Sequence, residues 1–161
     1  MTGDAARLRT LADRSEIHDL LVAYATAIDS REWDRLDAVF LPDALLDYRS
    51  AGGIAGPYPE VKQWLADVLP MFRATQHLVT NSHVELSGDE ARGATQFLNP
   101  NEATIDGAPW IFTVGGTYHD RLVRTPDGWR IARRVEETKW WDHPMPGLPP
   151  TPPPLAEPLD F

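Results

Sequence analysis

The chain has 161 residues, a formal net charge of -9 and no cysteine, which is the size of one domain with a core that needs no cross-links. The negative charge disfavours nucleic acid and anionic membranes as partners, and the lack of cysteine excludes disulfides, thiolate zinc sites and cysteine nucleophiles. No stretch resembles a signal peptide or a membrane span, so we expect a cytoplasmic protein with one domain over residues 1–141.

The first predicted element is a helix over residues 13–29. Its apolar side chains recur at helical spacing and form one stripe, namely Ile17, Leu20, Leu21, Tyr24 and Ile28. Asp13 and Glu16 have the spacing of a capping box, which predicts that the helix begins at Asp13. Tyr24 is the polar member of the stripe and needs a partner for its hydroxyl group. Asp29 opposes the helix macrodipole, so its position is costly unless another group uses the carboxylate.

Two further helices and a short strand are predicted before residue 75. Ser30 is placed to cap a short second helix, which Pro42 ends. Residues 44–49 alternate weakly and indicate a short strand, and residues 51–57, with three glycines, indicate a flexible loop. Residues 58–69 form the third predicted helix, with its apolar side chains on one face.

From residue 75 onward the periodicity changes to two, which is typical of strands. Four strands are predicted, at residues 77–86, 90–99, 110–123 and 129–141. Residues 99–109 are predicted to be a loop or an interruption of a strand. The pair Gly115-Gly116 indicates a bulge or a sharp curvature inside the third of these strands.

Helices that precede a meander of long antiparallel strands indicate an α+β domain. A curved sheet with helices over its concave face would leave a pocket between the two layers. The proline-rich segment 142–161 follows the last strand and carries apolar side chains. Because proline lowers the entropy lost on docking, we expect this tail to be ordered and to cover the cavity or bridge to another subunit. A frayed terminus is the alternative.

Three segments resemble the SnoaL-like branch of the nuclear-transport-factor-two-like superfamily: ADRSEIHDLLVAYATAIDSREWDRLDAVF, HLVTNSHVEL and GGTYHDRLVRTPDGWRIARR. The resemblance covers residues 8–141. It implies a cone-shaped α+β barrel, in which a curved antiparallel sheet wraps around N-terminal helices and leaves an internal apolar cavity. The motifs are most similar to those of lyase members, namely bile-acid 7α-dehydratases, hexachlorocyclohexane dehydrochlorinase and scytalone dehydratase. Those enzymes share a cavity His–Asp pair and use no cofactor.

The resemblance implies four catalytic residues in this chain. Asp29 and His77 lie at the positions of the cavity Asp and His. Tyr24 lies at the position of a tyrosine in the bile-acid enzymes, and Arg134 at that of a cavity arginine in the dehydrochlorinase. The bile-acid enzymes have a further Asp in the middle strands, near which this chain has Asn99 instead.

These residue types suit proton abstraction. A histidine with a near-neutral pKa accepts a proton at physiological pH, and a carboxylate on its other ring nitrogen fixes the tautomer and stabilises the imidazolium. The phenol of Tyr24 would donate a hydrogen bond or a proton to a developing enolate or a leaving hydroxyl group. A lone His77 is more commonly structural, and it is the resemblance at both His77 and Asp29 that favours a functional pair.

The orientation of Arg134 depends on the regularity of the last strand. Strict alternation places Arg133 on the face of Trp129 and Ile131. Arg134 then shares the opposite face with Glu136 and reaches the same side as Trp129 only if a bulge intervenes.

Four side chains are candidates for lining the substrate pocket: Asn99, Trp110, Phe112 and Tyr118. Core packing explains the aromatic members equally well. His83 shares the parity of His77 in its strand, and we expect it at a rim or an interface. No cluster has metal-ligand spacing and no glycine-rich loop opens a helix, so neither a metal nor a nucleotide cofactor is expected.

Together these patterns predict a cofactor-independent lyase of the dehydratase type for a small, largely apolar cyclic molecule such as a steroid, terpenoid or polyketide. An isomerase or a polyketide cyclase would begin with the same proton abstraction. A ligand-binding or subunit-association domain without turnover is the alternative from another class. The resembling dehydratases are trimers, so we expect a homotrimer, or otherwise a dimer.

Overall fold

The computed structural model describes residues 3–143 and 146–155; residues 144–145 and 156–161 of the predicted tail lie outside the described part. Within it, two α-helices, α1 (Gly3–Ser30) and α2 (Tyr58–Val68), accompany one seven-stranded sheet. The strands are β1 (Phe40–Asp47), β2 (Ala55–Pro57), β3 (Ala74–Thr75), β4 (Leu78–Ser87), β5 (Glu90–Ile105), β6 (Ala108–Thr125) and β7 (Gly128–Trp141). Short 3₁₀ helices lie at Trp33–Ala38, Arg49–Ala51 and Leu69–Met71.

The sheet has the strand order β2-β1-β7-β6-β5-β3, and β4 pairs with the same edge of β5 as β3. Its pairings are antiparallel except for that of β1 with β7, which is parallel. The path ends at β2 on one side and at β3 and β4 on the other, so the sheet curves without closing. The predicted α+β class is confirmed, and the parallel β1–β7 pair is a feature that the meander prediction lacked.

Helix α1 extends ten residues further toward the N-terminus than predicted. The capping-box prediction is wrong, because Asp13 lies inside the helix and is buried. Its carboxylate forms an ion pair with Arg124 on β6, whose guanidinium also lies 4.5 Å from the centre of the Trp129 ring. Asp13 thus ties α1 to the sheet instead of starting the helix. Among the described residues, no helix combines the length and the apolar character needed to span a membrane.

The second predicted helix is the 3₁₀ segment Trp33–Ala38, and Ser30 does not cap it. Glu32 occupies the N-cap position but makes no capping hydrogen bond with its side chain, which accepts hydrogen bonds from Ser30 and Arg35 instead. The Ser30 hydroxyl also donates to a carbonyl inside α1. The third predicted helix is α2, which ends one residue before the predicted boundary.

Strand β1 begins earlier than the strand predicted at residues 44–49, and Pro42 lies within it instead of ending a helix. The register between β1 and β7 jumps between Phe40 and Leu45, so the missing N–H of Pro42 leaves no gap in the ladder. The loop predicted at residues 51–57 ends in the short edge strand β2.

The loop predicted at residues 99–109 is wrong, since β5 and β6 continue through this region as one long hairpin. Asp106 and Gly107 form its two-residue turn, with φ values of 52° and 77° that suit a type I′ turn. Pro100 is tolerated in β5 because it lies between the residues that pair with β4 and those that pair with β3.

Extra residues in β7 and β4 decide which side chains face the concave side of the sheet. The ladder between β6 and β7 passes over Ala132 and Lys139, and each insertion reverses the face of the side chains that follow. The second insertion lies opposite Gly115-Gly116, where a bulge was predicted. A further shift in β4 turns His83 outward, so its predicted parity with His77 fails.

Gly116 lies at a tightly packed point on the concave face. A Cβ atom there would lie 2.8 Å from ring atoms of Phe97 and closer still to the carbonyl oxygen of Glu137. Because neither neighbour can withdraw easily, we expect Gly116→Ala to lower the free energy of unfolding by about 1–3 kcal/mol in urea denaturation. The matched control is Gly93→Ala, whose Cβ would meet Leu122 at an ordinary 3.6 Å. Equal losses for the two variants would contradict this account.

Candidate active site

A cavity of about 280 Å³ lies between the concave face of the sheet and the two helices. Tyr24 on α1, Trp64 on α2 and Phe112 on β6 contribute to its walls, and Pro146 and Leu148 of the tail complete them. The enclosed space therefore lies where the sequence-based layout placed a pocket.

Asp29 and His77 meet at the edge of this cavity. Asp29 lies in the last turn of α1, and His77 lies directly before β4. One carboxylate oxygen is 2.6 Å from His77 Nδ1, and the other accepts the backbone N–H of His77 at 2.7 Å. Because a carboxylate only accepts, the ring carries its proton on Nδ1, and Nε2 has no hydrogen-bond partner among the described residues. These two donors offset the unfavourable position of Asp29 at a helix C-terminus.

Asn99 braces the segment that carries His77. Its amide nitrogen donates to Thr75 Oγ1 and to the carbonyl of Gln76, both at 3.1 Å. The same nitrogen lies 3.3 Å from His77 Nδ1, but the proton on Nδ1 already points to Asp29, so this contact is not a hydrogen bond. Asn99 also lines the cavity.

Tyr24 has partners on both sides inside the cavity. Its hydroxyl group is 3.1 Å from that of Tyr48, a residue that the sequence analysis missed. Its ring meets those of His77 and Tyr118 edge-on, with centroids 6.1 Å and 5.6 Å away. Burial raises the pKa of all three phenols, so their hydroxyl groups are protonated at neutral pH and available as hydrogen-bond donors.

Arg134 is buried behind the tyrosines and does not belong to the cavity wall. The bulge at Ala132 turns it inward, where it forms two 2.7 Å hydrogen bonds with the carboxylate of Asp120. Its guanidinium carbon lies 4.2 Å from the ring centre of Tyr24 and 4.3 Å from that of Tyr118. The resemblance implied a catalytic arginine in the cavity, whereas Arg134 lies behind Tyr24 and supports its ring.

Glu136 is a cavity residue that the sequence analysis did not select. Burial raises the pKa of its carboxyl group to about 7, although a hydrogen bond from Thr138 and the charge of Arg134 oppose this shift. The Thr138 hydroxyl donates to Glu136 Oε1 at 3.2 Å, and Ser50 donates to the Glu136 carbonyl at 2.6 Å. The available sequence signal was its parity with Arg134, since the same bulge turns both residues inward.

The predicted pocket side chains divide into two groups. Asn99, Phe112 and Tyr118 line the cavity, whereas Trp110 does not. The Trp110 indole lies nearer the β5–β6 turn and donates to the carbonyl oxygen of His143 at 3.3 Å. Its role is therefore to attach the start of the tail.

Part of the described tail contributes to the cavity wall; that the tail as a whole covers the cavity stays a prediction, since residues 144–145 and 156–161 lie outside the described part. Pro146 and Leu148 line the cavity, and the Trp141 indole attaches the tail by donating to the carbonyl oxygen of Pro150 at 3.2 Å.

Two other histidines, His18 and His83, lie outside this cavity. His18 is exposed, and His83 is exposed with Glu85 as its 3.4 Å neighbour. Within residues 3–143 and 146–155, no group of three or more Asp, Glu or His side chains is arranged to hold a metal ion.

Residues 9–135 match the model of the SnoaL-like domain, and the chain belongs to that family. An uncharacterized protein of Mycobacterium tuberculosis is 49% identical over 126 residues, which cover 78% of this chain and 85% of that one. Scytalone dehydratase of Colletotrichum orbiculare is 29% identical over 146 residues, which cover 83% and 77% of the two chains. In fold, the crystal structure of hexachlorocyclohexane dehydrochlorinase from Novosphingobium barchaimii superimposes with a TM-score of 0.72 at 22% identity, over 91% of this chain and 99% of that one. The predicted family is thus confirmed, and its relatives in sequence include scytalone dehydratases.

The raised pKa of Glu136 predicts a pH-dependent stability. A carboxyl group with an ordinary pKa of 4.5 and a folded-state pKa of about 7 favours the folded state when protonated, and this contribution is lost as the pH rises through 7. Glu136→Gln keeps the neutral form at every pH. Relative to the unsubstituted protein, we therefore expect the variant to gain about 2–3 kcal/mol of unfolding free energy between about pH 5 and pH 8, measured in urea.

The neighbouring carboxylate of Glu137 provides a control without this pH dependence. Burial favours a higher pKa for the Glu137 carboxyl group, but the hydrogen bonds from Lys139 and His119 outweigh burial, and the net pKa is lowered. Because the pKa of Glu137 lies below 4.5, its carboxyl group is ionised in both the folded and the unfolded state from about pH 5 to pH 8, so Glu137→Gln should show no such gain relative to the unsubstituted protein over this rise in pH. The same trend in both variants would show that the burial of Glu136 is not its cause.

Proposed function

We propose that this protein is a lyase of the dehydratase type. The observation that carries the proposal is the double contact of Asp29 with His77, at 2.6 Å to the ring and 2.7 Å to the backbone. It fixes the tautomer in which Nε2 carries the free lone pair of a general base, in a cavity of about 280 Å³. Membership of a family with dehydratase relatives supports the same reaction class.

In this reaction, His77 Nε2 takes a proton from a carbon next to a carbonyl group of the substrate. The electron pair of that C–H bond forms an enolate, whose oxygen accepts a hydrogen bond from the phenol of Tyr24 or Tyr48. The enolate electrons then form a carbon–carbon double bond, the C–O bond at the adjacent carbon breaks, and the hydroxyl group leaves as water after protonation. Asp29 stabilises the imidazolium that His77 becomes.

The cavity suits a small, uncharged ring system. Aromatic and aliphatic side chains together dominate its walls, and none of the described residues that line it is Lys or Arg, so an anionic substrate would lack a counter-charge. The three tyrosine hydroxyl groups and Asn99 provide orientation at a few points. We therefore propose a cyclic β-hydroxy ketone of the steroid, terpenoid or polyketide type.

The reaction is tested on a panel of cyclic β-hydroxy ketones from these three classes, with mass spectrometry of the products. We expect loss of water from at least one compound. A product of unchanged mass would indicate an isomerase or a cyclase instead, and ligand binding without turnover would indicate a binding domain.

His77→Gln should lower kcat/KM by about 10²-fold or more, because Gln has no comparable basic nitrogen. Asp29→Asn should also lower it strongly, since an amide that donates to Nδ1 moves the ring proton to Nε2 and removes the base. His83→Gln is the control, because His83 is exposed on the outer face of β4. Unchanged turnover in the His77 variant would exclude it as the base.

We also propose that the protein forms a homo-oligomer, with a trimer favoured. Leu78, Leu98 and Trp140 form an exposed apolar row around Gly115 on the convex face, with 41%, 39% and 45% of their surfaces exposed. Light scattering should give a multiple of the 18.0 kDa subunit mass, and Leu98→Glu should reduce it. Leu8→Glu, at an exposed position on α1, should not. A wild-type mass of 18.0 kDa would contradict the assembly.

A further inference from the structure

Glu136 is an ionisable cavity residue that has no role in the mechanism proposed above. Thr138 binds its Oε1 atom at 3.2 Å, and Ser50 fixes its backbone carbonyl at 2.6 Å. The Oε2 atom has no hydrogen-bond partner among the described residues. Glu136 is nevertheless buried, with 7% of its surface exposed, and it lines the cavity. One carboxyl oxygen is thus held in place, and the other is available to a bound molecule.

We infer that Glu136 is a further catalytic residue, the acid that protonates the leaving hydroxyl group. This inference rests on the proposed function, because it requires His77 to remove the carbon-bound proton of the same substrate.

The curvature of the sheet brings the two groups onto one cavity. His77 precedes β4 and Glu136 lies on β7, so in a flat sheet three strand spacings, about 14 Å, would separate them along the surface. The sheet instead wraps around a single cavity, and both residues line it. Tyr24 is close to both, because its ring centroid lies 6.1 Å from that of His77 and because, after burial, the charge of Glu136 also raises the pKa of the Tyr24 phenol. A carbonyl group held by Tyr24 would therefore share one cavity with the base and the acid.

The surroundings favour the protonated carboxyl group. Several titratable or charged groups lie around it on α1, β1, β6, β7 and the segments between them: Tyr24, Asp47, Tyr48, His77, Tyr118 and Arg134. The cation among them, Arg134, is already paired with Asp120. Burial therefore dominates, and the resulting pKa of about 7 leaves a substantial fraction of Glu136 protonated at neutral pH.

The proton inventory balances. His77 gains the proton from carbon, and the electron pair of the C–H bond becomes the second bond between the two carbon atoms. The electron pair of the C–O bond leaves with oxygen, which takes the Glu136 proton and departs as water. Transfer of one proton from His77 to Glu136 through solvent restores both groups, so the net change is one alkene and one water per substrate.

Two probes separate the acid from the base. With 1-tetralone in D₂O, exchange of the hydrogens next to the carbonyl needs the base alone. With 3-hydroxy-1-tetralone, dehydration needs both base and leaving-group acid. We expect Glu136→Gln to keep exchange within about 3-fold and to lose about 10²-fold or more in dehydration, while His77→Gln loses both. Glu137→Gln, at the adjacent residue turned away from the cavity, should keep both.

The exchange assay also reports on folding, since an unfolded variant would lose both reactions. Equal losses of Glu136→Gln in the two assays, or no loss in either, would overturn the assignment of Glu136 while leaving His77 as the base. If the wild-type protein dehydrates neither 3-hydroxy-1-tetralone nor any compound of the panel, the proposed function is overturned and this assignment with it.

A pH profile supplies a second readout. Because the acid acts in its protonated form, kcat/KM for dehydration by the wild-type protein should fall as the pH rises through about 7. Glu136→Gln should lack this falling limb. Its persistence in the variant would assign the limb to another group and contradict the inference.

Discussion

The buried ion pair of Arg134 and Asp120 is the interaction on which the site depends. It joins β7 to β6 with two 2.7 Å hydrogen bonds, and its guanidinium lies against the rings of Tyr24 and Tyr118. The negative faces of these rings complement the positive charge in a region closed to water. Loss of the Asp120 charge would leave an uncompensated buried cation, which costs about 3–5 kcal/mol. Arg134 therefore helps to position Tyr24 and, through Tyr24, the end of α1, although Arg134 itself does not line the cavity.

Irregularity of the sheet creates both the cavity and its chemistry. The insertion at Ala132 brings polar side chains of β7 to the concave face, and the insertion at Lys139 returns an apolar one, Trp141. Without the first insertion, Arg134 and Glu136 would point outward. Gly116 allows the sheet to bend where a side chain would collide with the ring of Phe97. Curvature and the polarity of the interior therefore have a common origin in the β6–β7 ladder.

The cavity separates two ionisable groups by their surroundings. His77 is held by a carboxylate that leaves one ring nitrogen free, whereas Glu136 is surrounded by phenols and retains its proton up to about pH 7. Such a division of environments is how one site holds a base and an acid at the same pH.

The sequence by itself determined the elements whose patterns are local. The apolar stripe of α1, the length of α2, the strand periodicity and the double-glycine bulge are all visible in it, and the family resemblance located Asp29 and His77. Tertiary pairing decided the rest. Asp13 became a partner of Arg124 instead of a helix cap, and β1 joined β7 in parallel. The inward direction of Arg134 and the raised pKa of Glu136 followed from one inserted residue and from burial. Alternation predicts the face of a side chain only while the ladder is regular, and an insertion is stabilised by the neighbouring strand, which the residues along one strand do not reveal.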